Sequence, residues 1–461
     1  MIRSVQIIGA AVLGLAVLAW ALTRPSVRLA ELGPPPPRVE IPAGVPALPP
    51  AVAAAEGVVV AWTAHAGARL EPCGCVAGMH GGLVRRASLL ARVPTARRLS
   101  VELGGWSGGA ADYQRERAGF YLAGLAAAGY DALAIGGPEI ALGRAALAGL
   151  LARRGTVPAL CANLRSDGLD VASHAVITKG GRRFAVTAVV SAHAVGTGLT
   201  VDDPAEALVR LLPTLGDLPV VVLADLAEDG LVELARAVPG LALVVGGDVR
   251  QPSASALAVG ACRVVHVANE GKTLGWWPWG GQACAFELIE DHVPDHPAVR
   301  ALIRQYQERL GAMDLEIDDR GGMTALGAEA TGARYVGTQA CIACHANAGA
   351  VHNSSRHAHA FATLERKQYH RDPDCLRCHV TGLALPDGYR RSHERPELAQ
   401  VSCESCHGRG SLHVAERQAG RPTSGTLTPV TQATCLRCHD RENSPHFVYD
   451  PYWEKIRHDS R

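Results

Sequence analysis

Four copies of the pattern Cys-x-x-Cys-His near the end of the chain constrain its fold more than any other feature. They stand at Cys341–His345, Cys375–His379, Cys403–His407 and Cys435–His439. In this pattern each cysteine can form a thioether with a vinyl group of one porphyrin, and the following histidine can bind its iron. The surrounding sequence has few aliphatic runs, so it needs bound apolar groups to complete a core. The sequence therefore predicts four covalently bound c-type haems.

The motifs assign an attachment role to eight cysteines and a proximal-ligand role to four histidines. The attachment residues are Cys341, Cys344, Cys375, Cys378, Cys403, Cys406, Cys435 and Cys438, and the proximal ligands are His345, His379, His407 and His439. Zinc bound by pairs of CxxC motifs is an alternative, but zinc does not require a histidine directly after every second cysteine. Disulfides are a further alternative, although CxxC is a poor structural disulfide.

The sixth iron ligands can be narrowed by elimination. The four methionines are Met1, Met79, Met313 and Met323, and all of them precede the motif region. Two histidines per iron, or an open position, therefore remain. Without the methionine ligand that raises a haem's potential, we expect low reduction potentials. The spare histidines are His352, His357, His359, His370, His393, His413, His446 and His458.

The motif region resembles a known family. Tyr335-Val-Gly-Thr, CIACH, DCLRCHVTG, CESCHGRGSLHV and CLRCHDRENSP are similar to segments of the tetrahaem cytochromes c that accept electrons from hydroxylamine oxidoreductase in nitrifiers. The resemblance implies distal ligands among the histidines of this region and allows one five-coordinate haem. The distal ligands it suggests are His357, His359, His413 and His458, with His446 and His393 as alternates.

Residues 57–290 alternate short apolar strands with Ala/Leu-rich helical stretches, which predicts an α/β sandwich. Strands are expected at 57–62, 132–135, 218–223 and 241–245, and helices at 114–128, 142–153 and 205–213. A hairpin is predicted around Glu270–Gly271, joining residues 262–269 to residues 272–289.

Five segments of this region resemble the metallophosphoesterase domain of secreted 5′-nucleotidases. They are Leu70-Glu-Pro-Cys, Gly81-Gly-Leu-Val-Arg-Arg, Gly129-Tyr-Asp-Ala-Leu-Ala-Ile-Gly, Cys161-Ala-Asn-Leu and Leu243-Val-Val-Gly-Gly. In that family two metal ions activate water, yet the ligand positions here are largely replaced. They fall on His65, Gly67, Gly104-Gly105, Gly136-Gly137-Pro138-Glu139, Asp225 and Gly247-Asp248-Val249-Arg250. Two isolated candidates, His65 and Asp225, cannot hold a dinuclear centre. The resemblance therefore implies an inactive phosphoesterase fold with no catalytic residues.

Cys73 and Cys75, with His80 close by, form the remaining unusual feature of this region. A disulfide with Cys161, Cys262 or Cys284, a soft-metal or redox site, and free thiols all stay open.

The N-terminus carries Arg3 and then an apolar run from Val5 to Leu22. Such a segment is typical of a membrane anchor or of a cleaved signal peptide, and both place the rest of the chain outside the cytoplasm. The predicted organisation begins with an anchor or signal (1–24), a Pro/Ala-rich linker (25–56) and a degenerate metallophosphoesterase-like domain (57–290). A helical connector (291–333), whose helix at 297–310 leaves that domain, and a tetrahaem cytochrome domain made mostly of helices and loops (334–461) follow.

The net charge of +1, without basic blocks, gives no indication of nucleic-acid binding.

The predicted haems and the predicted export together lead us to expect a periplasmic electron carrier whose partners are other cytochromes or a membrane quinol oxidoreductase. An oxidoreductase acting on a nitrogen or sulfur compound at a five-coordinate haem, and a docking scaffold, are the alternatives.

Overall fold

The computed structural model describes most of the chain from residue 41 onward. The described residues are 41–72, 79–165, 168–249, 254–268, 270–313, 332–383, 385–391, 394–422, 427–441 and 443–458. The predicted anchor or signal, residues 1–24, lies outside them. Among the residues that are described, no helix has the length and apolarity needed to cross a membrane.

Two six-stranded mixed sheets form the centre of the middle domain. The first has the order β14-β13-β1-β2-β3-β4 and the second the order β11-β12-β10-β9-β7-β6. The strands are β1 Val59–Thr63, β2 Arg98–Glu102, β3 Ala132–Ala134, β4 Ala159–Leu160, β5 Leu164–Arg165, β6 His174–Lys179, β7 Arg182–Val190, β8 Thr200–Val201, β9 Val220–Asp225, β10 Leu241–Val249, β11 Leu257–Val259, β12 Cys262–Ala268, β13 Thr273–Pro278 and β14 Ala285–Leu288. Strands β5 and β8 form a separate two-stranded ladder.

The two sheets pack face to face through alternate residues of their strands. Val60 and Trp62 of β1 lie in one buried cluster with Val221 and Leu223 of β9. Their neighbours Val59 and Ala61 belong to a second cluster on the outer face of the first sheet. Strands buried on both faces read as continuous apolar runs, which is how the sequence presents them.

Helices cover both outer faces of this sandwich and complete four layers. They are α1 Pro50–Ala53, α2 Leu83–Ala91, α3 Asp112–Ala127, α4 Gly137–Ala141, α5 Arg144–Leu151, α6 Pro204–Leu211, α7 Glu228–Ala237 and α8 Pro297–Met313. Helices α2, α3, α5 and α8 contribute to the core of the first sheet, and α6 and α7 to that of the second. The predicted α/β sandwich is confirmed.

The predicted hairpin at Glu270–Gly271 is wrong. Strand β12 belongs to the second sheet, where it pairs with β10, whereas β13 belongs to the first sheet and pairs with β1. The turn therefore carries the chain between the sheets, and the hairpin partner of β13 is β14. Both strands bury residues on both faces, so no polar side indicates from sequence which strands should pair.

The helix predicted to leave the domain packs onto it instead. Val299, Ile303 and Leu310 of α8 are buried in the core cluster of the first sheet. The end of the predicted linker also docks there, because Val52 is buried and Arg92 donates to the carbonyl oxygens of Pro46 and Ala47.

The C-terminal region consists of short helices joined by loops, as predicted. They are α9 Thr338–Ile342, α10 Ala346–Ser354, α11 Ala360–Lys367, α12 Pro373–His379, α13 Cys403–His407, α14 Ser411–Gln418, α15 Gln432–Leu436 and α16 Tyr449–Trp453. Its described core is a small cluster around Phe361, Leu376 and Leu398. A cluster of this size is a weak basis for an independent fold.

Candidate functional site

All four CxxCH motifs begin on a short helix. Cys341 lies in α9, Cys375 in α12, Cys403 in α13 and Cys435 in α15. One helical turn separates the first cysteine from the histidine, so both face the same side. The backbone N–H of His345 donates to the Cys341 carbonyl at 3.0 Å, and that of His439 to the Cys435 carbonyl at 2.9 Å. This winding presents an attachment sulfur and an iron ligand to one space.

Three motif histidines face a second histidine from elsewhere in the chain. The ring centroids of His345 and His413 are 6.1 Å apart. Those of His439 and His357 are 6.2 Å apart, and those of His407 and His458 are 6.0 Å apart.

This spacing fits a metal ion held between two imidazoles. A ring nitrogen lies ~2 Å from a bound transition metal, and adding ~1 Å from nitrogen to ring centroid gives roughly 6 Å between two axial rings. Direct stacking of aromatic rings would permit shorter distances, down to ~4.5 Å. The three pairs therefore have the donor type and the separation of bis-histidine haem sites.

The second motif is held by a different contact. Nδ1 of His379 lies 2.7 Å from the backbone carbonyl oxygen of Ala360. A carbonyl in this position accepts a proton from Nδ1 and leaves Nε2 bare, which is how ligating histidines are oriented. This contact orients His379 with Nε2 available to a metal ion, in agreement with its predicted role as a proximal ligand.

The motifs also approach one another in two pairs. The side chains of Cys341 and Cys403 lie close together, as do those of Cys378 and Cys438. The first motif is thus next to the third, and the second is next to the fourth. A groove open to solvent is lined by Cys378 and Cys438, by the apolar residues Val380, Leu383 and Leu385, and by the charged residues Arg377, Glu404 and Arg437.

Glu404, inside the third motif, ties the first motif to it. Its carboxylate accepts the backbone N–H groups of Val336 at 3.0 Å, Gly337 at 2.8 Å and Gly410 at 2.8 Å. Burial raises the pKa of Glu404 in spite of these donors. Sequence analysis did not single out this residue, and the only signal was an acidic residue between two attachment cysteines.

The remaining histidines take different positions. His359 is exposed and belongs to none of the ring pairs, so its role as a distal ligand stays a prediction. His352 is buried, and its Nε2 lies 2.9 Å from the Val401 carbonyl oxygen. His446 is exposed, and His393 lies outside the described residues. His357 is the most perturbed of them, because burial lowers its pKa to about 4 and keeps the imidazole neutral.

In the sandwich, the positions of the phosphoesterase ligands converge on one end of the sheets. Nε2 of His65 lies 4.0 Å from Oδ1 of Asp225. The other oxygen of Asp225 accepts the backbone N–H of Gly137 at 2.6 Å. Glu139 is fully buried and accepts the N–H groups of Gly105, Ser107 and Gly136 at 2.8 to 3.1 Å. Both carboxylates are therefore already used by the backbone.

Glycines close the space between these residues. A Cβ on Gly104 would lie 2.5 Å from the Cα of Gly136, and one on Gly105 would lie 2.7 Å from Nδ1 of His65. Side chains cannot be accommodated at such distances, so the two backbone segments meet where ligand side chains would stand. Within the described part of the chain, no three His, Cys, Asp or Glu side chains form a metal-ion site.

Three cysteines of the sandwich are described, namely Cys161, Cys262 and Cys284. Each is buried, and no disulfide joins any of the described cysteines. Burial raises the pKa of the Cys161 thiol to about 12. Cys73 and Cys75 lie outside the described residues, so their pairing stays open.

Comparison with known proteins bears on the C-terminal region first. Residues 340–408 match the family of cytochrome c554 and c-prime. The cytochrome c-554 of Nitrosomonas europaea is 31% identical over 146 residues, which cover 25% of this chain and 62% of that protein. The predicted resemblance to tetrahaem cytochromes is thus confirmed, and covalently bound c-type haem is the cofactor that the match implies. The chain spans less than two thirds of that relative.

Solved structures similar to the middle region are phosphoesterases. The 5′-nucleotidase precursor of Thermus thermophilus is 22% identical, with a TM-score of 0.46 over 55% of this chain and 59% of that one. A calcineurin-like phosphoesterase from Bacillus subtilis is 18% identical, with a TM-score of 0.45 over 55% of this chain and 97% of that one. The sandwich itself is defined by the sheet order and core packing described above.

Proposed function

We propose that this protein is an extracytoplasmic electron carrier with four c-type haems, three of them bound by two histidines. The observation that carries the proposal is the set of three histidine pairs with ring centroids 6.0 to 6.2 Å apart, each containing one CxxCH histidine. The three distances join six histidines from different parts of the C-terminal region, and all three agree with an iron held between two imidazole rings.

Haem supplies a reversible one-electron couple when bound, and the protein sets its potential through ligands, burial and hydrogen bonds. His413, His357 and His458 are the distal ligands in this proposal. The carbonyl of Ala360 orients His379, and Glu404 fixes the first motif against the third. The paired motifs bring neighbouring cofactors close together, which suits transfer from one to the next. The redox partners of the protein are, in this proposal, periplasmic cytochromes or a membrane quinol oxidoreductase. Residues 1–24 provide the export signal or anchor.

Electron exchange is tested with protein exported from a host that has c-type maturation machinery. The dithionite-reduced protein is mixed in a stopped-flow instrument with an oxidised soluble monohaem cytochrome c. We expect reoxidation at a rate proportional to partner concentration. Reduced protein that stays reduced with every cytochrome tested would reject the carrier function and favour a scaffold.

The sandwich is, in the same proposal, a phosphoesterase fold without phosphoesterase activity. Asp225 and Glu139 are engaged by backbone N–H groups, and Gly104 and Gly136 occupy the space that ligands need. Two metal ions with open positions cannot be held by what remains. Hydrolysis of aryl phosphates and nucleotides, measured with added Mn²⁺ or Zn²⁺, is expected to equal that of the His65→Ala variant. Metal-dependent hydrolysis that this variant loses would overturn the proposal.

A further inference from the structure

The helix that carries the second attachment motif, α12, begins at the surface of the sandwich. It has seven residues, Pro373–His379, and its N-cap is Asp372. An isolated helix of this length is unstable in water, so its position depends on outside contacts. One such contact lies at its C-terminal end, where His379 meets the carbonyl of Ala360.

The contact at the N-terminal end comes from the sandwich. Asp374, directly before Cys375, forms an ion pair with Arg117 of α3. Oδ1 of the same carboxylate accepts the hydroxyl proton of Tyr113, also on α3, at 2.8 Å. The Arg117 side chain is 14% exposed and that of Asp374 is 36% exposed, so the pair is partly buried on its arginine side. Arg117 holds the pKa of Asp374 below its usual value in spite of burial.

Helix α8 of the sandwich extends this contact toward the attachment cysteine. Gln307 is hydrogen-bonded to the buried carboxylate of Asp372, whose oxygen in turn caps α12 through the N–H of Asp374 at 3.0 Å. Tyr306 is 2% exposed and lies within electrostatic range of Asp372 and Cys375. Among the described residues its hydroxyl has no hydrogen-bond partner. A buried hydroxyl without a partner is rare in folded proteins and calls for an explanation, such as a group bound nearby.

A second polar contact joins the two regions a few residues earlier in the chain. Tyr369 donates to Glu71, and Nη1 of Arg300 lies 3.1 Å from Glu71 and 3.3 Å from the Tyr369 hydroxyl oxygen. The stretch from Tyr369 to Asp374 is thus fixed to the sandwich at both of its ends.

From these contacts we infer that the sandwich is a structural part of the second haem site. Arg117 and Tyr113 act as positioning residues that hold Asp374, and with it the helix bearing Cys375, Cys378 and His379. The inference rests on the proposed function, and it gives the inactive phosphoesterase fold a role within the electron carrier.

The test uses the full chain carrying its haems, with the variants Arg117→Ala and Tyr113→Phe. Arg154→Ala is the control, because the Arg154 side chain is 13% exposed but pairs with the exposed Asp170 of the same domain rather than with a residue of the haem region. Arg117→Lys tests whether charge alone restores the contact. Intact mass gives the haem count, and a redox titration gives the reduction waves. The wave missing from a Cys375→Ser/Cys378→Ser variant identifies the second haem. Amide hydrogen exchange in residues 374–379 follows opening of the contact between the two regions.

We expect Arg117→Ala to keep the parent's haem count but to shift the wave of the second haem and leave the others in place. Amide exchange in residues 374–379 is expected to accelerate roughly tenfold or more, since removing one partner of the ion pair populates the open form. Tyr113→Phe should cause smaller changes of the same kind, Arg117→Lys should recover part of the shift, and Arg154→Ala should match the parent.

Superimposable waves in Arg117→Ala, Tyr113→Phe and the parent would overturn the inference, as would equal shifts of all waves. Neither result would affect the electron-carrier function. A parent protein without attached haem would instead reject the proposed function itself, before any variant is compared.

Discussion

Replacing His413 by alanine tests one predicted iron site in isolation. The His413 and His345 rings are 6.1 Å apart with planes inclined by 29°, which leaves room for one iron and no other ligand between them. An alanine side chain cannot reach that iron, so one low-spin site per chain becomes high-spin. Because the chain has four predicted sites, the high-spin fraction should rise by about a quarter of the total haem. Electron paramagnetic resonance and the extent of carbon monoxide binding measure this increment against the parent.

His352→Ala is the control for this experiment. His352 is also a histidine of the haem region, but it is buried and its Nε2 lies 2.9 Å from the Val401 carbonyl oxygen. Its removal should leave the spin state unchanged, even where it lowers stability. A His413→Ala protein with the parent's spin-state spectrum would refute the assignment of the ligand pair. An increase in high-spin haem in His352→Ala would show that pairing of a histidine ring with a motif histidine does not identify the distal ligands.

Three further predictions concern stability, measured by urea denaturation and far-ultraviolet circular dichroism. Glu102→Gln should destabilise the sandwich by about 3 kcal/mol, because Glu102 is fully buried 3.4 Å from the equally buried Arg86, whose charge would lose its partner. The control Glu206→Gln, at an exposed ion pair, should change stability by less than about 0.5 kcal/mol. Equal effects of the two substitutions would contradict the reasoning. Gly104→Ala should lower the free energy of unfolding by about 1–3 kcal/mol, since the added Cβ would meet the Gly136 backbone at 2.5 Å. The control Gly149→Ala, in open space on α5, should be neutral or stabilising. A neutral Gly104→Ala would show that the two segments are not in contact. Burial raises the pKa of Asp372 to about 6, so protonation of Asp372 stabilises the fold below the unfolded pKa, and this contribution is lost as pH rises through 6. The parent should therefore gain stability between pH 7 and pH 5, and Asp372→Asn should gain less. Identical pH profiles of the two proteins would exclude this contribution.

The attachment motifs and the sandwich class were accessible from sequence because both depend on local patterns. A CxxCH motif contains its own attachment and ligand residues within one helical turn. Strand–helix alternation likewise follows from short apolar runs, and the observed strands 132–134, 220–225 and 241–249 overlap those expected. The helix predicted at 142–153 is observed as α5, Arg144–Leu151, and it begins directly after Gly143, whose φ is +78°. The left-handed backbone conformation of this glycine explains why the helix begins later than predicted.

Long-range partners were not accessible in the same way. Arg117 and Asp374 are 257 positions apart, and neither stands in a motif that indicates the other. The prediction that β12 and β13 pair was wrong for a related reason, since a turn between two consecutive strands can also carry the chain from one sheet to the other. Resemblance suggested His357, His413 and His458, which lie opposite motif histidines, and also His359, which belongs to none of these ring pairs. Position along the chain does not distinguish His357 from His359, because the two are separated by only one residue.

The central claim is the presence of four covalent haems bound mainly by paired histidines. A pyridine haemochrome assay combined with intact mass, on protein exported by a host with c-type maturation machinery, tests it most directly. The account predicts four haems per chain, together with ferric spectra in which at least three are low-spin. Fewer than four haems, with zinc found at the remaining CxxCH motifs, would contradict it.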